Sequence, residues 1–387
     1  MGSSNSTPIA EQAIRIDLQD DMEAEAGGQY ALQYKENRSG MWEAVKPEQI
    51  VGFLTDPGIE NVILYIHGHN DTRDEAYQKL QRMVPQIGKP FDEQTKFRTR
   101  YLCLTWNARC NVNRAPPGFK RLWRMMTDPI GVLWYMDDMD KVTYATESFT
   151  SLMNDLAKSG KNIHLIGHSM GCQAVISYLA QASIAHTVLT RPFFHGDSSR
   201  GAVSRQILGN IRTVALLAPD VPTHRIRWFF KEHFPLFWNN GGLFRFAFVS
   251  NDFDLPIRAS EMLRMGSSRA GIPKNIRRCL NSLGPLKLKE FPADPNPATG
   301  SQYDCSPVKI CDVRSLRAFG HGVYANRKAQ LAIGDFIQES IEHDRMEMGA
   351  VGSPKKAVWV GGEGCADACI PRRRLTYQYI RLKGKRK

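Results

Sequence analysis

Gly167-His168-Ser169-Met170-Gly171 is a serine framed by two glycines. It follows the apolar run Ile163-His164-Leu165-Ile166 and precedes Cys172-Gln173-Ala174-Val175-Ile176-Ser177-Tyr178-Leu179, so the segment reads as strand, sharp turn and helix. A serine hydroxyl attacks carbonyls when such a turn holds it exposed, and the flanking glycines remove Cβ atoms that would meet the neighbouring strand and helix. The turn also sets the Met170 N–H at a helix N-terminus, suited to a developing oxyanion. Alone, the five-residue pattern is a common small-residue turn; here the flanks supply the strand and helix that the chemistry requires.

A nucleophilic serine needs a base and a group that orients the base, and on an elbow of this kind the chain order is serine, acid, histidine. The histidines after Ser169 are 186, 195, 224, 233, 321 and 343. His321, in Phe319-Gly320-His321-Gly322-Val323-Tyr324, stands past the last predicted strand and just before the final helix, where the base belongs. His343 falls at the end of that helix, and His224 and His233 lie in an aromatic-rich stretch. For the acid, Val249-Ser250-Asn251-Asp252-Phe253-Asp254-Leu255-Pro256 offers two carboxylates. Asp254 is preferred because Asp-Leu-Pro-Ile is similar to the usual acid turn; Asp252 is the alternative. Asp220, after Ala218-Pro219, comes one strand too early and is read as shaping a loop wall. A second oxyanion donor is expected after an early strand, at Ile66-His67-Gly68-His69-Asn70, where Gly68 lets the backbone approach and the His69 N–H joins that of Met170. His67 and Asn70 are expected to hold that loop.

The elements that must position these residues are short apolar runs rich in β-branched and aromatic residues. They are Gln29 to Tyr34, Asn61 to Ile66, Arg100 to Trp106, the elbow strand, Ile211 to Leu217, Phe244 to Val249 and Val308 to Val313. Helices are predicted over Glu75 to Met83, Asp138 to Leu156, Gln173 to Ala182 and Ala325 to Ile341. Strands alternating with helices imply an α/β fold with a doubly wound, mostly parallel sheet. A single domain is expected over residues 29–345, after a polar, weakly ordered segment 1–28 and before a basic tail 346–387. Inserts are expected at about 107–136, 221–243 and 265–305. The first carries Phe119, Trp123, Trp134 and Tyr135 among basic residues, and the second holds Trp228, Phe229, Phe230, Phe234, Phe237 and Trp238. Both are read as lids or acyl-binding walls, because loops after strand C-termini lie over the site in open α/β sheets.

With 387 residues, 42% of them hydrophobic, the chain can bury a sizeable core, and its net charge is +12. Arg372, Arg373, Arg374, Arg381, Lys383, Lys385, Arg386 and Lys387 place eight of the positive charges in the last 16 residues, which carry no acidic residue. The excess is therefore a tail, suited to peripheral contact with anionic membrane; nucleic acid is not expected, for want of an aromatic platform or a known module. Met1-Gly2-Ser3-Ser4-Asn5-Ser6 fits the N-myristoylation pattern at Gly2, and one acyl chain would need a second signal such as that tail. No apolar run reaches the length of a membrane span and no basic-then-apolar leader opens the chain, so the expectation is a cytoplasmic protein. The eight cysteines are too sparse for a disulfide framework, and Cys305/Cys311 and Cys365/Cys369 lack zinc-ligand spacing. No metal and no cofactor is expected.

The chain resembles the α/β-hydrolase superfamily. Within it, the likeness is to an esterase/lipase branch of mostly uncharacterised bacterial proteins with an HGFN-type oxyanion loop, an HSMG elbow, an APD turn, a Ser-plus-Asp acid turn with a downstream Ser, and a late GH motif. The matching residues are His67-Gly68-His69-Asn70, His168-Ser169-Met170-Gly171, Ala218-Pro219-Asp220, Ser250 with Asp254 and Ser260, and Gly320-His321. His69 stands where an aromatic residue is usual. The resemblance covers about residues 60–340 and implies a hydrolase fold with a serine triad. The expected activity is hydrolysis of a small-molecule or lipid-like carboxylic ester through an acyl-enzyme. A thioester or amide would be cleaved by the same residues, and a membrane-peripheral binding or effector protein on a hydrolase scaffold is the expectation from another class.

Overall fold

The computed structural model describes residues 13–18, 32–38, 41–45, 56–69, 71–106, 142, 146, 150, 152–156, 159–189, 205–241, 244–263, 266–287, 307–314, 321–350, 372–374 and 377–383. In chain order the strands are β1 (Ala13–Leu18), β2 (Leu32–Arg38), β3 (Met41–Val45), β4 (Asn61–Ile66), β5 (Thr99–Thr105), β6 (Asn162–His168), β7 (Ile211–Leu217), β8 (Arg245–Ser250), β9 (Pro285–Lys287), β10 (Val308–Arg314), β11 (Arg372–Arg374) and β12 (Tyr377–Lys383). The labelled helices are α1 (Arg73–Ile87), α2 (Glu93–Phe97), α3 (Gly171–Leu189), α4 (Thr223–Trp228), α5 (Phe234–Gly241), α6 (Leu255–Leu263), α7 (Pro273–Asn281) and α8 (Arg327–Ala350).

All six residues of β4 are buried. Val62, Leu64 and Ile66 belong to one apolar cluster, Ile63 and Tyr65 to the other. A strand apolar on both sides has to be covered on both faces, which is what parallel strands with crossover helices achieve. One face packs under α3 through Cys172, Val175, Ile176 and Leu179. The other packs under α1 through Ala76, Leu80 and Val84 and under α8 through Ala329, Ile333 and Phe336. The start of α1 is fixed by a capping box, in which the Thr72 hydroxyl accepts from the Glu75 N–H and the Glu75 carboxylate accepts from the Thr72 N–H.

Among the described residues, ten strands form one sheet in the order β12-β10-β8-β7-β6-β4-β5-β1-β2-β3, and β9 pairs with β11 apart from it. Every pairing from β12 across to β1 is parallel, and β1, β2 and β3 pair antiparallel at one edge. This is the doubly wound, mostly parallel α/β arrangement. From β4 the chain moves one way to β5 and then returns to β6 on the other side of β4. Such a reversal opens a crevice at the strand C-termini, here between the loop that follows Ile66 and the turn that follows His168.

Several boundaries differ from the sequence reading. Segment 1–28 contains β1, which lies inside the sheet between β5 and β2; the alternation Ala13-Ile14-Arg15-Ile16-Asp17-Leu18 carries that strand despite its charges. The basic tail likewise contributes β11 and β12, and β12 pairs in register with β10. Arg381 and Lys383 alternate with Ile380 and Leu382, so this part of the charge excess belongs to a sheet edge, where charged residues discourage further pairing. The closing helix runs to Ala350, beyond the expected end of the domain at 345. Gly2, the 107–136 insert, Asn70, Gly320 and Cys110, Cys305, Cys365 and Cys369 lie outside the described residues. Cys103, Cys172, Cys279 and Cys311 are buried and form no disulfide among the described residues. Among the described residues no helix is long and apolar enough to cross a membrane.

The aromatic stretch expected to form a lid or an acyl-binding wall is the crossover between β7 and β8. It is α4, a π-helical turn Phe229–His233 and α5. Phe229, Phe230, Phe234 and Phe237 are fully buried with Phe244, Phe246 and Phe248, with ring centroids 4.8 Å apart for Phe230 and Phe234 and 4.7 Å for Phe237 and Phe244. A parallel pair needs its connection to recross the sheet, and these rings are the apolar face of that connection. Within this stretch Trp228 remains exposed. The 265–305 insert, where described, contains α7 and β9, and α7 packs Ile276 and Leu280 into the same cluster. Truncating Phe230 to Ala is expected to cost about 3–5 kcal/mol of stability, read as a lower denaturant midpoint at unchanged slope.

Candidate active site

Ser169 has φ of 52°, left-handed backbone that a residue with a side chain adopts only when its surroundings enforce it. The enforcement is visible on both sides. Its N–H donates to the Leu217 carbonyl at 2.9 Å, and its carbonyl accepts from Cys172 N–H at 3.2 Å and Asp220 N–H at 3.1 Å. A Cβ on Gly171 would stand 2.2 Å from the His67 carbonyl oxygen, and one on Gly68 would stand 2.6 Å from the Ser169 Cβ. The end of β4 therefore lies against the turn after β6 at a distance that only glycine permits.

Three of the sequence-predicted residues meet here. His321 Nε2 is 2.8 Å from Ser169 Oγ, and its Nδ1 is 3.1 Å and 3.0 Å from the two carboxylate oxygens of Asp254. With the proton on Nδ1 donated to Asp254, Nε2 keeps the lone pair that accepts the Ser169 hydroxyl proton. Asp254 is fully buried, while His321 keeps a quarter of its side chain exposed. One Asp254 oxygen also accepts from the Ile257 N–H at 3.0 Å, in the first turn of α6. Asp252, the other candidate acid, is partly buried, and its backbone carbonyl accepts from Arg258 at 2.8 Å. Of the two, Asp254 holds the contact with His321.

The loop after β4 is fastened by His67, which is fully buried. Trp106 N–H donates to His67 Nε2 at 3.0 Å, so the ring proton lies on Nδ1, which donates to the Gly68 carbonyl at 2.8 Å. The His67 and Trp106 rings stack with centroids 5.2 Å apart, and Trp106 Nε1 donates to the His67 carbonyl at 3.1 Å. In a trans peptide the carbonyl and the following N–H point in opposite directions. Anchoring the Gly68 carbonyl on His67 turns the His69 N–H away from that ring; anchoring the Ser169 carbonyl on Asp220 and Cys172 likewise turns the Met170 N–H away from them. His69 is half-buried and Met170 is buried.

Electrostatics follow burial and nearby charge. Burial alone would push the His321 pKa down, but the Asp254 carboxylate against Nδ1, with Asp220 adding to it, raises it above the ordinary histidine value. His168 is held well below that value by burial and by the charges of His321 and Lys79. Behind the site, Lys79 pairs with Asp71 and lies 4.3 Å from the centre of the Tyr324 ring. Tyr324 in turn meets the His168 ring edge-on at 5.0 Å.

This arrangement is built from a serine on a strand-to-helix elbow, a histidine between β10 and α8 and, between them in the chain, an aspartate. The sequence matches the family described as alpha/beta hydrolase of unknown function (DUF900) over residues 43–273, more than half of the chain. The chain belongs to that family. No curated protein matches it. The matched span of this hydrolase includes Ser169, Asp220 and Asp254, and His321 lies beyond it.

Sequence reasoning passed over a buried group beside the elbow. Arg269 is fully buried with its Nε 3.4 Å from Asp220 Oδ1, and Ser260 Oγ donates to the same oxygen at 2.7 Å. The APD turn located Asp220, but a lone arginine in a connecting segment carries no pattern that could have announced its burial. For His321, exchange of the neighbouring charge has a definite sign. Asp254→Asn removes the anion that favours imidazolium, so the His321 ring is expected to titrate at lower pH in nitrogen-15 NMR than in the wild type.

Proposed function

We propose that this hydrolase is a serine esterase, in which Ser169 is the nucleophile, His321 the general base and acid, and Asp254 the residue that orients and stabilises the imidazole. Attack of Ser169 Oγ on a carboxylic ester carbonyl passes the hydroxyl proton to His321 Nε2. The tetrahedral oxyanion is received by the N–H groups of Met170 and His69. Collapse expels the alkoxide, which takes the proton from His321, and leaves an acyl group on Ser169. Water, deprotonated by the same nitrogen, then releases the acid and restores the serine. The Asp254 carboxylate keeps Nδ1 protonated throughout and offsets the charge of the transient imidazolium.

The observation that carries this reading is the unbroken chain from Ser169 Oγ through His321 Nε2 at 2.8 Å to Asp254 at 3.0 Å. Two further features support it. The serine sits in the strained left-handed conformation of an elbow, and both peptides meant to receive the oxyanion have their carbonyls fastened on the opposite side. Nothing in this machinery selects an oxygen over a sulfur leaving group, so the assay pairs each ester with the corresponding thioester.

Fluorophosphonate labelling with peptide mapping, alongside turnover of short and long acyl esters, tests the reading. The wild type is expected to label at Ser169, Ser169→Ala to lose both label and turnover, and His321→Ala and Asp254→Asn to lose at least about a thousandfold in rate. Asp252→Asn is expected to stay within about twofold, as surface changes do. Labelling at another residue, or turnover that survives in Ser169→Ala, would contradict it.

A further inference from the structure

Asp220 is almost fully buried, and four separate parts of the chain meet on it. Its backbone N–H donates to the Ser169 carbonyl at 3.1 Å, and its own carbonyl accepts from Gln173 Nε2, in the first turn of α3, at 2.8 Å. Its carboxylate takes the Ser260 hydroxyl of α6 at 2.7 Å and faces Arg269 Nε at 3.4 Å. The Arg269 side chain is fully buried, and its Nη1 and Nη2 have no hydrogen-bond partner among the described residues. Its backbone is fixed all the same: Arg269 pairs with Pro222, Ala270 N–H donates to the Val221 carbonyl at 2.9 Å, and Arg269 N–H donates to Glu261 Oε1 at 2.7 Å. The buried guanidinium is paired with the Asp220 carboxylate.

The two ends of this node are the two fixed points between which His321 stands. Ser169 lies at one end, and α6, which begins immediately after Asp254, at the other. We propose that Asp220 is a positioning residue, which ties the nucleophile elbow to the helix that carries Asp254 and so sets the gap that His321 bridges. This inference rests on the serine hydrolase reading above and adds a second acidic residue to it. Asp220 does not touch the reacting atoms; it acts through the Ser169 carbonyl, through Ser260 and through its charge. The charged and titratable groups around His321 are Asp254 from the acid turn, Asp220 from the turn after β7, Lys79 from α1 and His168 from β6. Asp220 and Asp254 favour the imidazolium and Lys79 opposes it.

Two substitutions separate the tether from the charge. Ser260→Ala cuts the carboxylate's link to α6 and leaves both charges in place. Asp220→Asn keeps the backbone contacts and a hydrogen-bond acceptor while removing the negative charge. The rate of fluorophosphonate labelling is followed against pH, with the His321 titration read independently by nitrogen-15 NMR. Ser260→Ala is expected to label about tenfold to a hundredfold more slowly, with the acid limb unmoved, as a small misplacement of reacting groups does. Asp220→Asn is expected to label more slowly and also to move both the acid limb and the His321 titration to lower pH. Should Asp220→Asn strand Arg269 and fail to fold, Asp220→Asn combined with Arg269→Gln removes both charges, and the same slow labelling is expected of it. Wild-type labelling rates in Ser260→Ala, or an unmoved His321 titration in folded Asp220→Asn, would overturn the proposal. If the wild type itself does not label at Ser169 while the NMR titration still shifts, the esterase reading falls and the electrostatic role of Asp220 stands.

Discussion

The site depends on how closely the end of β4 approaches the turn after β6. The carbonyl oxygens of Ile66 and His67 lie 2.7 Å and 2.2 Å from where a Gly171 Cβ would be, and the Ser169 Cβ lies 2.6 Å from where one on Gly68 would be. No side chain fits at either glycine, so the backbone of one loop rests directly on the other. Ser169 can then be left-handed because its N–H and carbonyl are held by Leu217, Cys172 and Asp220. Everything else in the site is arranged around that contact. His67 fastens one loop, Asp220 fastens the other, and His321 enters from the segment between β10 and α8.

The sheet makes such an approach reproducible. The reversal of strand order between β4 and β6 separates the crossovers to either side and leaves a crevice at the strand C-termini. Because both faces of the sheet are apolar, α1 and α8 on one side and α3 on the other are held by burial rather than by the site. Polar groups can therefore gather at the strand ends without being asked to stabilise the fold. Among the described residues, the guanidinium Nη1 and Nη2 of Arg269 beside Asp220, the Nδ1 of His168 and the Ser250 hydroxyl at the end of β8 are buried without a hydrogen-bond partner.

Some of this was legible in the sequence for physical reasons. Ser169, His321 and Asp254 each follow a short apolar strand, and in a parallel sheet residues after such strands converge on one edge. The choice between Asp252 and Asp254 was not legible to the same degree, because two residues on one turn differ only in which way the turn points them. The phenylalanines between 229 and 237 were misread as a lid because aromatic density is the same for a wall facing substrate and for a crossover facing a sheet. β1 and β12 were missed because their charges outweighed a short alternation, and pairing partners far along the chain, such as β5 for β1, leave no local trace. Arg269 was invisible because burial of a single charge depends on one carboxylate that is distant in sequence.

In the proposed mechanism the loop after β4 and the turn after β6 together present two N–H groups to the oxyanion of a substrate bound to Ser169. A crystal structure of the phosphonylated protein tests this directly, since the phosphonyl oxygen occupies the place of that oxyanion. A bond from Ser169 Oγ to phosphorus is expected, with the phosphonyl oxygen within about 2.7–3.1 Å of both the Met170 and the His69 nitrogens. A phosphonyl oxygen turned to solvent, or held by side chains away from these two peptides, would contradict it.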